Sequence, residues 1–135
     1  MKKLFHFIII ALLSVVSTKA QTTIGTDFWV TFGKNYTYAY NQVDLQIRIV
    51  GGDGTTHVTL EFADSSVPND YFYVSPQQVY TYPLSPTQKQ AVYNTNMGVW
   101  DTSVRITADH PVTAYALNQR QGTADATNVL PVTAL

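Results

Sequence analysis

Between Val43 and Ile49 apolar and polar side chains alternate without a break, with Val43, Leu45, Ile47 and Ile49 set against Asp44, Gln46 and Arg48. A period of two puts one set on each side of an extended chain, so the segment predicts a strand with one face in a core and one in water. The pattern returns in His57-Val-Thr-Leu-Glu-Phe62, where Val58, Leu60 and Phe62 point inward, and in Ser103-Val-Arg-Ile-Thr-Ala108. No stretch sustains a helical period over the roughly eleven residues needed to recognise one. Short strands separated by Gly, Pro, Asn and Asp predict an all-β, antiparallel, sandwich-like domain.

The breaks between strands set the expected path. Val50-Gly-Gly-Asp-Gly-Thr55 reads as a tight turn in which glycine supplies positive φ, so Val43–Ile49 and His57–Phe62 are expected to form a hairpin. Asp64 to Asp70 is a loop by composition. Tyr71–Val74 and Gln78–Tyr82 are short strands on either side of Pro76, and Thr87 to Tyr93 has room for a single helical turn. Asp109-His110-Pro111 predicts a tight corner, after which Val112–Leu117 runs back as a new strand. The final run, Asp125-Ala-Thr-Asn-Val-Leu-Pro-Val-Thr-Ala-Leu135, stops without a turn or polar tail. The expectation is therefore a domain incomplete at its C-terminus, continuing beyond residue 135 and leaving an unpaired strand edge.

The other end of the chain sets the compartment. Met1-Lys-Lys opens on two cations, and Leu4 to Val16 is apolar apart from His6 and Ser14. Small residues follow at Thr18 and Ala20, the spacing of a cleaved signal peptide over residues 1–20, with a domain over 21–135. The apolar stretch falls short of the ~20 residues that span a bilayer, so no membrane span is expected after cleavage. No cysteine follows it to carry a lipid. These features predict a secreted or cell-surface protein.

Loss of Lys2, Lys3 and Lys19 with the leader leaves five cations against nine acids, a net charge of −4. The charges are scattered, with no basic stripe of the kind nucleic-acid binding requires, so nucleic acid is excluded as a partner. There is no cysteine. An exported domain without disulfides must rest on its hydrophobic core, and about 115 residues are enough for one. Many bacterial exported domains are built this way, and a bacterial source is expected.

Three separated motifs, in order, resemble one family. Gly25-Thr-Asp-Phe-Trp-Val-Thr-Phe-Gly-Lys-Asn35 opens the domain, and Ile106-Thr-Ala-Asp-His-Pro-Val-Thr-Ala-Tyr-Ala-Leu-Asn118 and Asp125 to Leu135 close it. They are similar to the N-terminal domain of IgGFc-binding proteins, with the intervening residues matching only in strand pattern. The resemblance implies a β-rich extracellular domain at the head of a longer chain, with further domains after residue 135. The family's name implies binding to immunoglobulin constant regions, although no short motif carries that activity.

Candidate site residues are few. Tyr36, Tyr38 and Tyr40 fall at every second position, so an extended segment would align three rings on one face as a binding platform. The alternative is that the rings cover the core or line a sheet edge. Tyr71, Tyr73, Tyr80 and Tyr82 form a second aromatic set with the same two readings, whereas Phe28, Trp29 and Phe32 are expected in the core. Of the histidines, His57 and His110 lie beyond the leader, and neither has a nucleophile setting around it, so no catalytic residue is assigned. Asp53, Asp64 and Asp70 have oxygen ligands to offer calcium, but without EF-hand spacing, and aspartate in turns serves the backbone; no metal and no cofactor is assigned. Asn35-Tyr36-Thr37 matches the glycosylation pattern, which matters only in a eukaryotic secretory pathway. The composite expectation is a non-enzymatic binding module taking a protein or glycan ligand outside the cell, whether immunoglobulin Fc or another surface glycoprotein. Carbohydrate binding through exposed tyrosines, and a structural spacer, are the alternatives.

Overall fold

The computed structural model describes residues 22–95, 98 and 101–134. Residues 1–20, where a signal peptide is expected, and the last residue, Leu135, lie outside the described residues. The elements are β1 (Ile24–Val30), β2 (Phe32–Gly33), β3 (Asp44–Gly51), β4 (Thr56–Phe62), β5 (Asp70–Val74), β6 (Val79–Pro83), α1 (Pro86–Val92), β7 (Tyr93–Asn94), β8 (Val104–Arg120) and β9 (Thr123–Val129). The fold is all-β, with one antiparallel sheet, a short parallel pair of β2 and β7, and one short helix.

Among the described residues four of the seven strand pairings run through β8. Along one edge its N-terminal half pairs with β4, from Phe62↔Val104 to Val58↔Ala108, and its C-terminal half pairs with β3, from Gly51↔Val112 to Asp44↔Gln119. Along the other edge lie β1, from Val30↔Val104 to Ile24↔Thr113, and then β9, from Val129↔Ala114 to Thr123↔Arg120. Outside these, β5 pairs with β4 and β6 with β3. The result is a half-sheet β5–β4–β8–β1 and a half-sheet β9–β8–β3–β6, joined by the strand they share.

The expected hairpin is therefore not formed. β3 and β4 do not pair with each other; they follow one another along the same edge of β8. Nor does the chain reverse at Asp109-His110-Pro111, because β8 runs through it. The proline is tolerated since residues 109–111 fall in the gap between the β4 and β3 ladders, where no inter-strand N–H is needed. The His110 N–H is instead satisfied by the buried Thr56 Oγ1 at 3.0 Å.

β8 bends in this gap, and the sheet doubles over. Tyr82 lies opposite Ile47, which pairs with Ala116, whereas Asp70 lies opposite Leu60, which pairs with Ile106. On a straight strand those two positions of β8 would stand about 33 Å apart. Yet the Tyr82 hydroxyl donates to Asp70 Oδ2, and the Phe72 ring of β5 stacks on Tyr80 of β6 with centroids 4.2 Å apart. The inner faces of both halves thus share one core, including Phe28, Leu45, Ile47, Ile49, Leu60 and Ile106, each at most 1 % exposed. Full burial of such a side chain contributes roughly 1.5–3 kcal/mol.

The glycines at the fold line do a different job from the one expected. Neither Gly51 nor Gly52 has positive φ. A Cβ on Gly51 would lie 2.4 Å from the Ser75 carbonyl oxygen, and one on Gly52 would lie 2.5 Å from that of Pro111, so both permit close backbone approach. The helix α1 lies where a single helical turn is expected, over Thr87 to Tyr93, and begins one residue earlier. Ser85 caps it, its Oγ accepting from Gln88 N–H while its own N–H donates to Gln88 Oε1, and Pro86 occupies the first turn. The final run does not remain a strand: β9 ends at Val129, and residues Val132–Ala134 form a 3-10 turn beside β1. β9 is an edge strand, paired with β8 alone among the described residues.

Candidate functional site

The three tyrosines do not form a row. Tyr36 takes a left-handed conformation, with φ of 54°, and Tyr40 begins a 3-10 turn, so the segment is a loop and its period of two is lost. Tyr36 is 77 % exposed, while Tyr38 and Tyr40 lean on the core. The rings of Tyr36 and Tyr38 stand 5.9 Å apart at 59°, forming two walls of a cleft of about 320 Å³ rather than a flat platform. Gln121, Gly122 and Thr123, from the turn between β8 and β9, complete the lining. Tyr40 takes no part in it.

A buried polar network pins this loop to the sheet. Asn35 and Asn118, 7 % and 6 % exposed, meet across it, and Asn35 Nδ2 donates at 3.3 Å to both Asn118 oxygens, backbone and side chain. Asn118 Nδ2 donates to the Gly33 carbonyl, Thr123 Oγ1 donates to Asn35 Oδ1, and the Asn35 N–H donates to the Tyr93 hydroxyl at 2.8 Å. That hydroxyl donates in turn to the Tyr38 carbonyl. Buried amides left unsatisfied are costly, so the network fixes one loop position. It also withdraws the glycosylation-pattern asparagine from solvent. Asn118 was findable in the sequence: Val112, Ala114 and Ala116 set the inward phase, and Asn118 continues it.

Above Tyr38 lies a residue that no motif singled out. The Arg120 guanidinium stacks on the Tyr38 ring, its carbon 3.8 Å from the centroid. Its Nη1 is buried with no hydrogen-bond partner.

A second exposed aromatic group lies on the outer face of the β5–β4–β8–β1 half-sheet. Tyr71 and Tyr73, 66 % and 64 % exposed, flank His57 with ring centroids 5.4 and 5.1 Å away. On the same face Trp29 is 53 % exposed, which corrects its expected place in the core; Phe28 and Phe32 are buried. The alternation that turns Phe28 and Val30 inward turns Trp29 out. Arg105 lies between, 5.9 Å from the Trp29 ring centroid, and grips Asp27 with Nε and Nη2 at 3.0 and 2.9 Å. Those hydrogen bonds hold the Asp27 carboxyl below the usual carboxylate range and raise Arg105. Of the second aromatic set, Tyr80 and Tyr82 turn towards Phe72 and join the closure of the sheet.

The remaining polar candidates serve the chain. Asp64 Oδ1 accepts from Ser66 N–H and Oγ, which lowers its carboxyl, and Asp70 accepts from Tyr71 N–H and Tyr82. His110 is exposed at the bend, and neither it nor His57 shares a hydrogen bond with a carboxylate among the described residues. Among the described residues no three His, Asp or Glu side chains converge as a metal site, and no helix is long and apolar enough to cross a membrane. Comparison with family models, with curated proteins and with solved structures finds no match.

Proposed function

We propose that the chain is a non-enzymatic binding module acting outside the cell, taking a protein partner on the outer face of the β5–β4–β8–β1 half-sheet. The observation that carries the reading is the exposure of Trp29, Tyr71 and Tyr73 together on one rigid face, with Arg105 between them. Tyr, Trp and Arg are the residues in which interface energy concentrates, and paired strands present them with little ordering cost. The leader-like pattern of residues 1–20 supports the extracellular setting. Resemblance to IgGFc-binding proteins makes immunoglobulin Fc the first ligand to try, with other surface glycoproteins next. A spacer would have these rings buried under a polar surface, and three large exposed rings on one face speak against it.

The test is biosensor binding of the full chain to immunoglobulin Fc and to a panel of mucin-type glycoproteins. Trp29→Ala and Tyr71→Ala are each expected to weaken binding about tenfold or more, with the melting temperature little changed. Binding that survives the Trp29, Tyr71 and Tyr73 triple alanine variant would move the interface off this face. Failure to bind any member of either panel would return the spacer reading to first place.

A further inference from the structure

The free edge of β9 carries an inference separate from the Trp29 face. An uncovered edge strand is a template for another strand, and folded proteins shield their edges. The other edges of this sheet have such shields. Pro131 bridges to Phe28 beside β1, and the far ends of β5 and β6 close on each other through Phe72–Tyr80 and Asp70–Tyr82. β5 and β6 are also only five residues each, and Pro83 ends β6. β9 has none of these devices. It pairs with β8 alone among the described residues, in unbroken register from Thr123 to Val129, without a proline, lysine or arginine. Ala124 to Asn128 are all exposed. They include Asp125 and Thr127, which lie opposite the inward-facing Asn118 and Ala116, so both faces of the strand are open as well as its edge.

The register says which groups that edge presents. Arg120 pairs with Thr123 across a two-residue turn, which closes on a hydrogen-bonded pair. Alternation then turns the backbone N–H and C=O of Thr123, Asp125, Thr127 and Val129 towards β8, and those of Ala124, Ala126 and Asn128 outward. Three outward positions spaced by two are symmetric about the middle one. A second β9 laid antiparallel about a twofold axis at Ala126 pairs Ala126 with Ala126 and Ala124 with Asn128, satisfying all three at once. The same axis sets each Asp125 carboxylate opposite a Thr127 hydroxyl, which can donate to it, and keeps the two carboxylates from direct opposition. Alanine at two of the three positions offers no pocket to select a foreign strand's side chains, while letting an identical backbone approach unhindered. We propose that the chain self-associates by antiparallel pairing of β9 with the β9 of a second copy. The β9–β8–β3–β6 half-sheet then becomes one half of a continuous eight-stranded sheet. A contact of seven residues a side is short of a standard interface, so the dimer is reversible, with a dissociation constant in the micromolar range.

The experiment is sedimentation equilibrium of the full chain from about 1 μM to about 1 mM, with amide exchange followed by NMR at both ends of that range. The expected result is a monomer–dimer equilibrium. The Ala124, Ala126 and Asn128 amides should gain protection as concentration rises, while those of Asp125 and Thr127, already turned to β8, change little. Ala126→Lys and Ala126→Glu each set like charges against one another at the axis, and each should weaken the dimer about fivefold or more. An equal mixture of the two variants should recover it, because only a twofold pairing makes residue 126 its own partner. Both melting temperatures should stay near the parent's, since the Ala126 side chain is exposed. Thr81→Lys, on the β6 edge, should leave the dimer unchanged. A monomer throughout the range, a dimer that Ala126→Lys leaves intact or Thr81→Lys breaks, or a Lys–Glu mixture that stays monomeric would each overturn the proposal. So would concentration-dependent protection that appears along β5 or β6 in place of β9, a readout that needs no substitution.

Discussion

Tyr82 sits where the far ends of the doubled sheet meet, donating to Asp70 while accepting from Gln88 Nε2 at 2.8 Å. Burial first, and then the bond to Asp70, push its phenol up to about 12 from an ordinary 10.0. The folded chain therefore keeps a proton that the unfolded chain releases near pH 10. The stability linked to it is fully present below pH 10 and is lost as pH rises towards 12. Denaturant melts across that alkaline range should show an extra decline that Tyr82→Phe removes, at a cost of ~1 kcal/mol near neutrality. An identical decline in the variant would show that other tyrosines cause it. Asp27 works in the opposite sense. Arg105 holds it below 3.8, so its contribution is present above that value and lost as pH falls through the lowered one; half in solvent, the pair contributes little. Single residues also show where composition misleads. Trp29 looks like core by hydrophobicity, yet its phase relative to Phe28 and Val30 marks it as exposed. Tyr36, Tyr38 and Tyr40 make a row only on an extended backbone, which Tyr36 leaves.

At the scale of elements, the fold line depends on backbones that nearly touch. Gly51→Ala would set its Cβ 2.4 Å from the Ser75 carbonyl oxygen, where backbone must move. A loss of about 1–3 kcal/mol is expected in chemical denaturation. Gly33→Ala meets nothing within 4 Å and should stay within about 0.5 kcal/mol of the parent. Equal effects would remove close approach as the reason for glycine at Gly51. The sequence made the strands themselves plain: Asp44–Gly51, Thr56–Phe62, Asp70–Val74 and Val79–Pro83 all lie where alternation or aromatic runs place them. Their pairing was hidden, because alternation tells which face a residue occupies and not which strand lies beside it. The glycine-rich link between β3 and β4 has the composition of a hairpin turn and serves as a corner. Pro111 has the look of a strand breaker and sits in the one stretch of β8 without a ladder. The cleft between Tyr36 and Tyr38 was invisible for the same reason, since only the paired β8 and β9 bring the Gln121–Thr123 turn to the Tyr36 loop.

For the whole molecule, β8 is flanked on both edges over most of its length, while β5, β6 and β9 each have one partner strand. Opening the middle of β8 requires separating it from two neighbours at once, so its amides should exchange last. Hydrogen exchange should find the slowest protons at Val104–Thr107 and Val112–Leu117, and faster ones along β5 and β6. Slower exchange in β5 or β6 than in β8 would contradict a sheet organised on its central strand. The position of that strand along the chain has a further effect. β1, β3 and β4 precede it by many tens of residues, and until it is synthesised they have only the short β4–β5 and β3–β6 pairings, which are marginal in isolation. Most contacts must then close over long loops, which makes folding slow. A growing chain of this design stays threadable until β8 has emerged, and it commits to structure only then.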